Sequence, residues 1–193
     1  MSQTFRTHLC KQLASLSPAI EVTLAGWVDV RRDLGGLIFI ELRDYTGSIQ
    51  LVSDPQKNQQ VHETFNQLRN EYVVSVTGKI SRRPDDSSNS TQQNGEIEIY
   101  PDSVKILNTS QSLPFNINQT QSLDESIRLK YRYLDIRRQN MRNNLNLRHK
   151  ITRAIESKLN ELDFIEVETP ILTKATPEGA RDFLLQVVVV YSY

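Results

Sequence analysis

One cysteine, Cys10, is all this chain carries, so neither an intrachain disulfide nor a cysteine-built metal centre can form. The three histidines, His8, His62 and His149, are scattered without the spacing of metal ligands. No apolar run reaches the ~18 residues that a membrane helix needs, and the opening MSQTFRTHLCKQL lacks the apolar centre of a secretion signal. Seven glycines and seven prolines among 193 residues are too few for a collagen-like or low-complexity chain. Nor is there a glycine-rich loop of the kind that cradles nucleotide phosphates. These absences imply a globular, metal-free protein of a reducing compartment, expected to be cytoplasmic and to have no membrane partner.

Net charge is also lacking, at zero with 23 basic and 23 acidic residues, which at first argues against a nucleic-acid partner. The distribution argues the other way. Ser126–Arg153 holds nine basic residues and one acid, Asp135. Such a segment is either a surface that faces phosphates or a pair of solvated helices with basic outer faces.

What is present reads first as strands. Glu21–Arg31 alternates Val22 and Leu24, and Gly26 suggests a bend or bulge. The turn Asp33–Gly36 leads into Leu37–Asp44, and Thr46-Gly47 into Ser48–Ser53, where Ile49 and Leu51 share a face opposite Gln50 and Val52. From Pro55 the period lengthens, with Val61, Phe65 and Leu68 at helical spacing. Strands return at Tyr72–Ser81 and Glu96–Leu107, the latter expected to break at Pro101. Three strands, a helix and two strands is the element order of a five-stranded OB-fold barrel. The overall class is therefore α+β.

The polar Asn108–Gln121 reads as a linker. Ser122 and Glu125 have the spacing of a capping box, opening a helix that buries Ile127, Tyr131 and Leu134 and turns its arginines away. A longer helix carries Leu147, Ile151, Ile155, Leu159 and Leu162 on one stripe, and Phe164–Leu172 alternates like a strand.

Several stretches together resemble one family. GWVDVRRDLGGLIFIELRD, LRNEYVVSVTGKI and GEIEIYPDSVKILN resemble the anticodon-binding domain of bacterial-type aspartyl-tRNA synthetases. RLKYRYLDIRR is similar to that family's hinge, and FIEVETPILTKATPEGARDFL to its class II motif 1 and the following loop. The resemblance implies an anticodon barrel over residues 1–108, linker and hinge over 109–138, and the beginning of the catalytic domain over 139–193. It is closer than the likeness to the asparaginyl and lysyl relatives, which share the barrel.

Pattern alone places Phe39 in the core, Gln50 evenly between solvent and a base edge, Trp27 in the core, and Arg83 and Glu98 among surface charges. The resemblance implies instead that Phe39 stacks on the central anticodon base and Gln50 reads it, that Arg32, Arg83 and Glu98 make further anticodon contacts, and that tRNA-Asp is the partner. It implies that Arg128, Lys130, Arg132, Arg137 and Arg138 run beside the tRNA stem. The resemblance further implies that Pro170 is the motif 1 proline of a possible homodimer interface and that Glu178 contacts the aspartate substrate. ATP and Mg²⁺ are implied for the full-length family, but the arginines of motifs 2 and 3 that hold ATP do not occur here. No cofactor and no turnover are therefore expected of this polypeptide by itself. Its alternatives are one part of an enzyme completed by another chain or a longer reading frame, and a dimerising fragment. The resemblance stops after Leu184, and the uncharged, β-prone Leu184–Tyr193 reads as a poorly anchored strand with an aggregation hazard.

Overall fold

The computed structural model describes residues 5–84, 88–89, 93–118 and 122–171. The chain divides into two compact units, Met1–Phe115 and Asn116–Tyr193. The first unit thus takes in the start of the segment read as linker, and its Phe115 is buried.

The first unit is a closed barrel. Its strands are β1 (Glu21–Leu34), β2 (Leu37–Arg43), β3 (Ser48–Ser53), β4 (Val73–Arg82) and β5 (Ile97–Asn108), in the order β1-β2-β3-β5-β4. All neighbours pair antiparallel except β3 and β5, which meet in parallel at Gln50–Glu98 and Leu51–Ile99. Alternation puts Val22, Leu24, Ile38, Ile40, Leu42, Ile49, Leu51, Val74, Val76, Ile80 and Ile99 inside, where they form one core. Helix α1 (Gln59–Gln67) adds the fully buried Phe65, its start capped by the Asn58 side chain accepting from the Val61 N–H. Pro55 lies in a turn ahead of this helix rather than in its first turn.

Two irregularities differ from the sequence reading, and each has a steric reason. The bulge of β1 falls at Asp29, between the pairs Val28–Leu42 and Val30–Glu41, not at Gly26. Gly26 is there because a Cβ would stand 2.4 Å from the Arg43 carbonyl oxygen. Strand β5 runs unbroken through Pro101, which lacks an N–H. Gly78 pairs with Pro101 and Thr77 with Ser103, so Asp102 becomes the extra residue. A Cβ on Gly78 would meet the Tyr100 carbonyl oxygen at 2.4 Å.

A 3-10 helix at Cys10–Ser15, unmarked by any period in the sequence, sets Cys10 and Leu13 into the core. Asp44 fixes it. The carboxylate accepts from the Cys10 N–H at 2.8 Å and from the Thr46 hydroxyl and N–H, each at 2.6 Å. Burial and then the Asp44 charge push the Cys10 thiol up to about 12, so this cysteine is inert at neutral pH.

Asp44 itself experiences burial as an upward pull, but the hydrogen bonds from Thr46 and Cys10 outweigh it and hold the carboxyl below its ordinary value. A depressed folded-state pKa stabilises the fold above the unfolded value and loses that contribution as the pH falls through the folded one. Stability should therefore drop below about pH 4 in the wild type and less steeply in Asp44→Asn. Urea titrations of both proteins between neutral and acid pH check this, and parallel profiles would contradict it.

The second unit holds α2 (Glu125–Lys130), α3 (Arg132–Asp135) and α4 (Gln139–Asn160). The expected single helix is broken at Tyr131, whose φ of −110° and ψ of 46° leave the helical region. Its cap is Asp124, which accepts from the Ser126 N–H, and not Ser122. The arginines do not turn away but converge on Asp135, as described below. The stripe is exposed along Leu147, Ile151, Ile155 and Leu159 of α4 and at Leu162 in the turn that follows. Phe164–Pro170 is neither strand nor helix, and its side chains are exposed. Apolar alternation alone does not hold a strand without a neighbouring ladder to satisfy its backbone groups. Residues 172–193, which carry Glu178 and the β-prone tail, lie outside the described residues.

Candidate nucleic-acid interface

Strand pairing assembles the outer face of the barrel from residues distant in sequence. Arg32 of β1 lies across from Phe39 of β2, Glu41 of β2 from Gln50 of β3, and Gln50 from Glu98 of β5. Since Ile38, Ile40, Ile49, Leu51 and Ile99 point into the core, Phe39, Gln50 and Glu98 face outward. Phe39 is half-buried on that face, so it is not a core residue. Around it lies a depression of about 370 Å³ whose lining includes Arg32, Leu34, Phe39, Glu41, Gln50 and Arg83.

The polar groups of the depression are held in place by one another. The Gln50 amide donates from Nε2 to Oε2 of Glu98 at 3.0 Å, and Glu98 is only 4% exposed. Arg83 donates from Nε to the Ile97 carbonyl at 3.0 Å, while its own N–H is held by the Glu96 carbonyl. Burial pulls the Arg83 guanidinium's pKa down, and the charges of Glu98 and Glu41 pull the other way.

The two arginines at the end of β1 differ in what they do. Arg31 is tied to α1, donating to the Phe65 carbonyl at 3.3 Å and the Asn66 side chain at 3.2 Å, with Asp33 at 3.6 Å. The Arg32 side chain has no hydrogen-bond or ion-pair partner among the described residues and lines the depression. Trp27 is half-buried elsewhere, with the Arg43 guanidinium 6.0 Å from its ring centroid.

Two residues on this face were missed by the sequence reading. Glu41 accepts from the Ser48 hydroxyl at 2.6 Å beside Gln50. Tyr100 follows Glu98 on the same face, and Lys57 sits 3.8 Å from its ring centroid. Burial and then the Glu98 carboxylate raise the Tyr100 pKa. Both could have been found by stepping two residues along the strand from Phe39 and Glu98.

In the second unit the basic segment is organised around its one acid. Asp135 is fully buried and paired with Arg128 at 3.2 Å, Arg132 at 2.6 Å and Arg138 at 3.5 Å. Burial pulls its carboxyl upward, but the hydrogen bond and charge of Arg128, with Arg132 and Arg138, bring it below the ordinary value. Lys130 lies 5.4 Å from the Tyr131 ring centroid, and Arg137 follows α3. Pro170 is exposed.

Known proteins carry the same organisation. Residues 22–107 match the family model described as OB-fold nucleic acid binding domain, and residues 124–192 the one described as tRNA synthetases class II (D, K and N). The chain is 50% identical over 184 residues to aspartate–tRNA(Asp/Asn) ligase of Trichodesmium erythraeum, covering 93% of this chain and 31% of that protein. It is 52% identical, again over 184 residues, to the ligase of that name from Thermosynechococcus vestitus, covering 93% and 30%. Among solved structures, asparaginyl-tRNA synthetase of Pyrococcus horikoshii, complexed with asparaginyl-adenylate, superposes with a TM-score of 0.70 at 25% identity, over 84% of this chain and 36% of that one. Aspartyl tRNA synthetase of Entamoeba histolytica shares the fold with a TM-score of 0.71 at 16% identity, over 83% and 39%. The chain thus spans about a third of the length of the curated relatives it matches. It belongs to the class II aminoacyl-tRNA synthetases of the bacterial aspartyl type, and contains their OB-fold barrel and the start of their catalytic domain.

Proposed function

We propose that the outer face of the barrel binds the anticodon loop of tRNA-Asp. Phe39 stacks on the central base, Gln50 reads its edge, and Glu98 accepts from the first base, while Arg32 and Arg83 supply charge-assisted contacts. The observation that supports this most is the gathering of Arg32, Phe39, Gln50 and Arg83 around one depression, with Glu98 hydrogen-bonded to Gln50. Chemistry favours the same assignment. With its Nε2 donating to Glu98, Gln50 turns a carbonyl acceptor to the ligand, beside a carboxylate that can only accept. Two acceptors suit bases whose Watson–Crick edge carries a ring N–H, guanine and uracil, rather than the ring acceptor of adenine or cytosine. Guanine and uracil are the first two bases of the G-U-C anticodon of aspartate.

The test is a pair of anticodon stem–loops, one G-U-C and one with adenine at the centre. The first should bind about tenfold more tightly, since a buried acceptor left without its donor costs roughly 1–3 kcal/mol. Equal affinities would contradict the reading. The relatives named as tRNA(Asp/Asn) ligases suggest a further point, because the asparagine anticodon G-U-U shares those two bases. The G-U-U stem–loop should bind as the G-U-C one does.

For the whole protein the family reaction is proposed, the ATP- and Mg²⁺-dependent attachment of L-aspartate to tRNA-Asp in the cytoplasm. Among the described residues no group of three or more histidine, cysteine or acidic side chains could hold a metal ion, so no step through Mg²⁺ is assigned to this part of the chain. Glu178 is proposed to contact the amino-acid substrate, and Pro170 to belong to a homodimer interface. The exposed apolar stripe of α4 favours a pairing role for the motif 1 region.

A further inference from the structure

Asp135 is the one acid among nine basic residues in Ser126–Arg153, and it is the one side chain of that stretch that is completely buried and charged. A buried carboxylate is costly unless it is paired and hydrogen-bonded, and here three guanidinium groups satisfy it. Arg132 gives it Nη1 at 2.6 Å. Arg128 gives Nε at 3.2 Å and Nη2 at 3.4 Å, the latter also 3.3 Å from the Met141 sulfur. Among the described residues, nothing else engages Nη1 of Arg128 or Nε and Nη2 of Arg132. The two side chains remain 35% and 48% exposed, whereas Arg138, at 11%, is enclosed. Long cationic side chains in water lose rotamer freedom when they bind an anion. Here that freedom is already removed, by one carboxylate shared between them.

We propose that Asp135 is a positioning residue that fixes Arg128 and Arg132 as a preformed site for the phosphodiester backbone of a structured RNA. The proposal rests on the tRNA reading above and deepens it. Its ligand is the RNA backbone, so the site contributes affinity and register and carries no base sequence.

The sign of one substitution separates positioning from bulk charge. Asp135→Asn makes the segment more positive by one unit. A diffuse basic surface would then hold RNA more tightly, with a steeper salt dependence. A positioned pair of arginines would be released, and binding of whole tRNA-Asp by this chain should weaken about tenfold at 0.1 M salt. The slope of log K against log salt should fall by roughly 1–2, about 0.9 for each phosphate that is no longer neutralised.

Arg132→Gln removes one guanidinium directly and leaves Asp135 paired with Arg128 and Arg138, so it serves if Asp135→Asn does not fold by circular dichroism. It should weaken binding several-fold, and adding it to Asp135→Asn should cost little more, because both act on the same interaction. Asp135→Glu should restore part of the affinity. Unchanged or tighter binding by Asp135→Asn, or by Arg132→Gln where the former is unfolded, would overturn the proposal. Phe39→Ala in the same assay keeps the two readings apart. If it weakens binding while the Asp135 and Arg132 variants do not, the anticodon site stands and the positioning role falls. If wild type does not prefer tRNA-Asp to an unrelated RNA hairpin, the anticodon reading falls, and the Asp135→Asn effect on salt-dependent RNA binding still decides the positioning role.

Discussion

Replacing Arg43 with methionine should destabilise the barrel by about 3–5 kcal/mol, the cost of removing one partner from a buried ion pair. Arg43 ends β2 and its guanidinium lies between two carboxylates, Asp29 at 3.2 Å and Glu71 at 2.5 Å. All three side chains are well shielded, with exposures of 15%, 12% and 7%. Asp29 is the bulged residue of β1, and Glu71 has a φ of 64° in the turn that enters β4. Non-glycine residues adopt that region at some cost, so the neighbourhood must hold Glu71 there. Its N–H donates to the Val28 carbonyl at 2.6 Å, and Arg43 supplies the opposing charge. Without Arg43, the shielded carboxylates of Asp29 and Glu71 lose their shared cation at the seam where β1 leaves β4 for β2. Urea unfolding of Arg43→Met measures the loss. Adding Asp29→Asn and Glu71→Gln should recover much of it, since the stranded charges go as well. A loss under ~1 kcal/mol would place this network among exposed pairs of little consequence.

On the binding side, Phe39→Ala and Gln50→Ala should each weaken the G-U-C stem–loop by about 1–3 kcal/mol, or roughly fivefold to more than a hundredfold. The two act by different means. Phe39 offers a ring face, and its loss removes stacking on any base with little change in salt dependence. Gln50 offers an oriented amide, and its loss should erase the preference for uracil over adenine at the central position. Neither should unfold the barrel, because both side chains lie on the outer face and the core behind them is untouched. Isothermal titration of each variant with both stem–loops resolves the two contributions. A Gln50→Ala protein that keeps full preference for uracil would remove Gln50 from base reading.

The barrel was legible in the sequence because its evidence is local. Alternation in LIFIELR and SIQLVS marks strands, and the change of period at Val61–Leu68 marks the helix between them. Phe39 shows where locality ends. Flanked by Ile38 and Ile40, it looks like core, and only the inward direction of those two neighbours proves that it faces out. The seam network was invisible for a related reason. Asp29, Arg43 and Glu71 come from three elements, and nothing in their spacing foretells that they meet.

In the second unit local spacing does not report which side chains meet. Helical spacing of Ile127, Tyr131 and Leu134 suggested one helix with its arginines outward, but a buried Asp135 draws three arginines together and the helix breaks at Tyr131. Likewise FIEVETP alternates as a strand does and yet forms none, since a strand is a property of a pair. The same gap leaves the α4 stripe exposed in this structure.

Anticodon reading by the proposed face, which carries Phe39, Gln50 and Glu98, can be tested residue by residue. The most direct measurement is an amide NMR titration of isotopically labelled chain with the G-U-C stem–loop. The expected result is a set of shifts concentrated around Arg32, Phe39, Gln50, Arg83 and Glu98, saturating together and absent with an unrelated hairpin. Shifts confined to Ser126–Arg153, or equal with both hairpins, would mean that the barrel face does not read the anticodon.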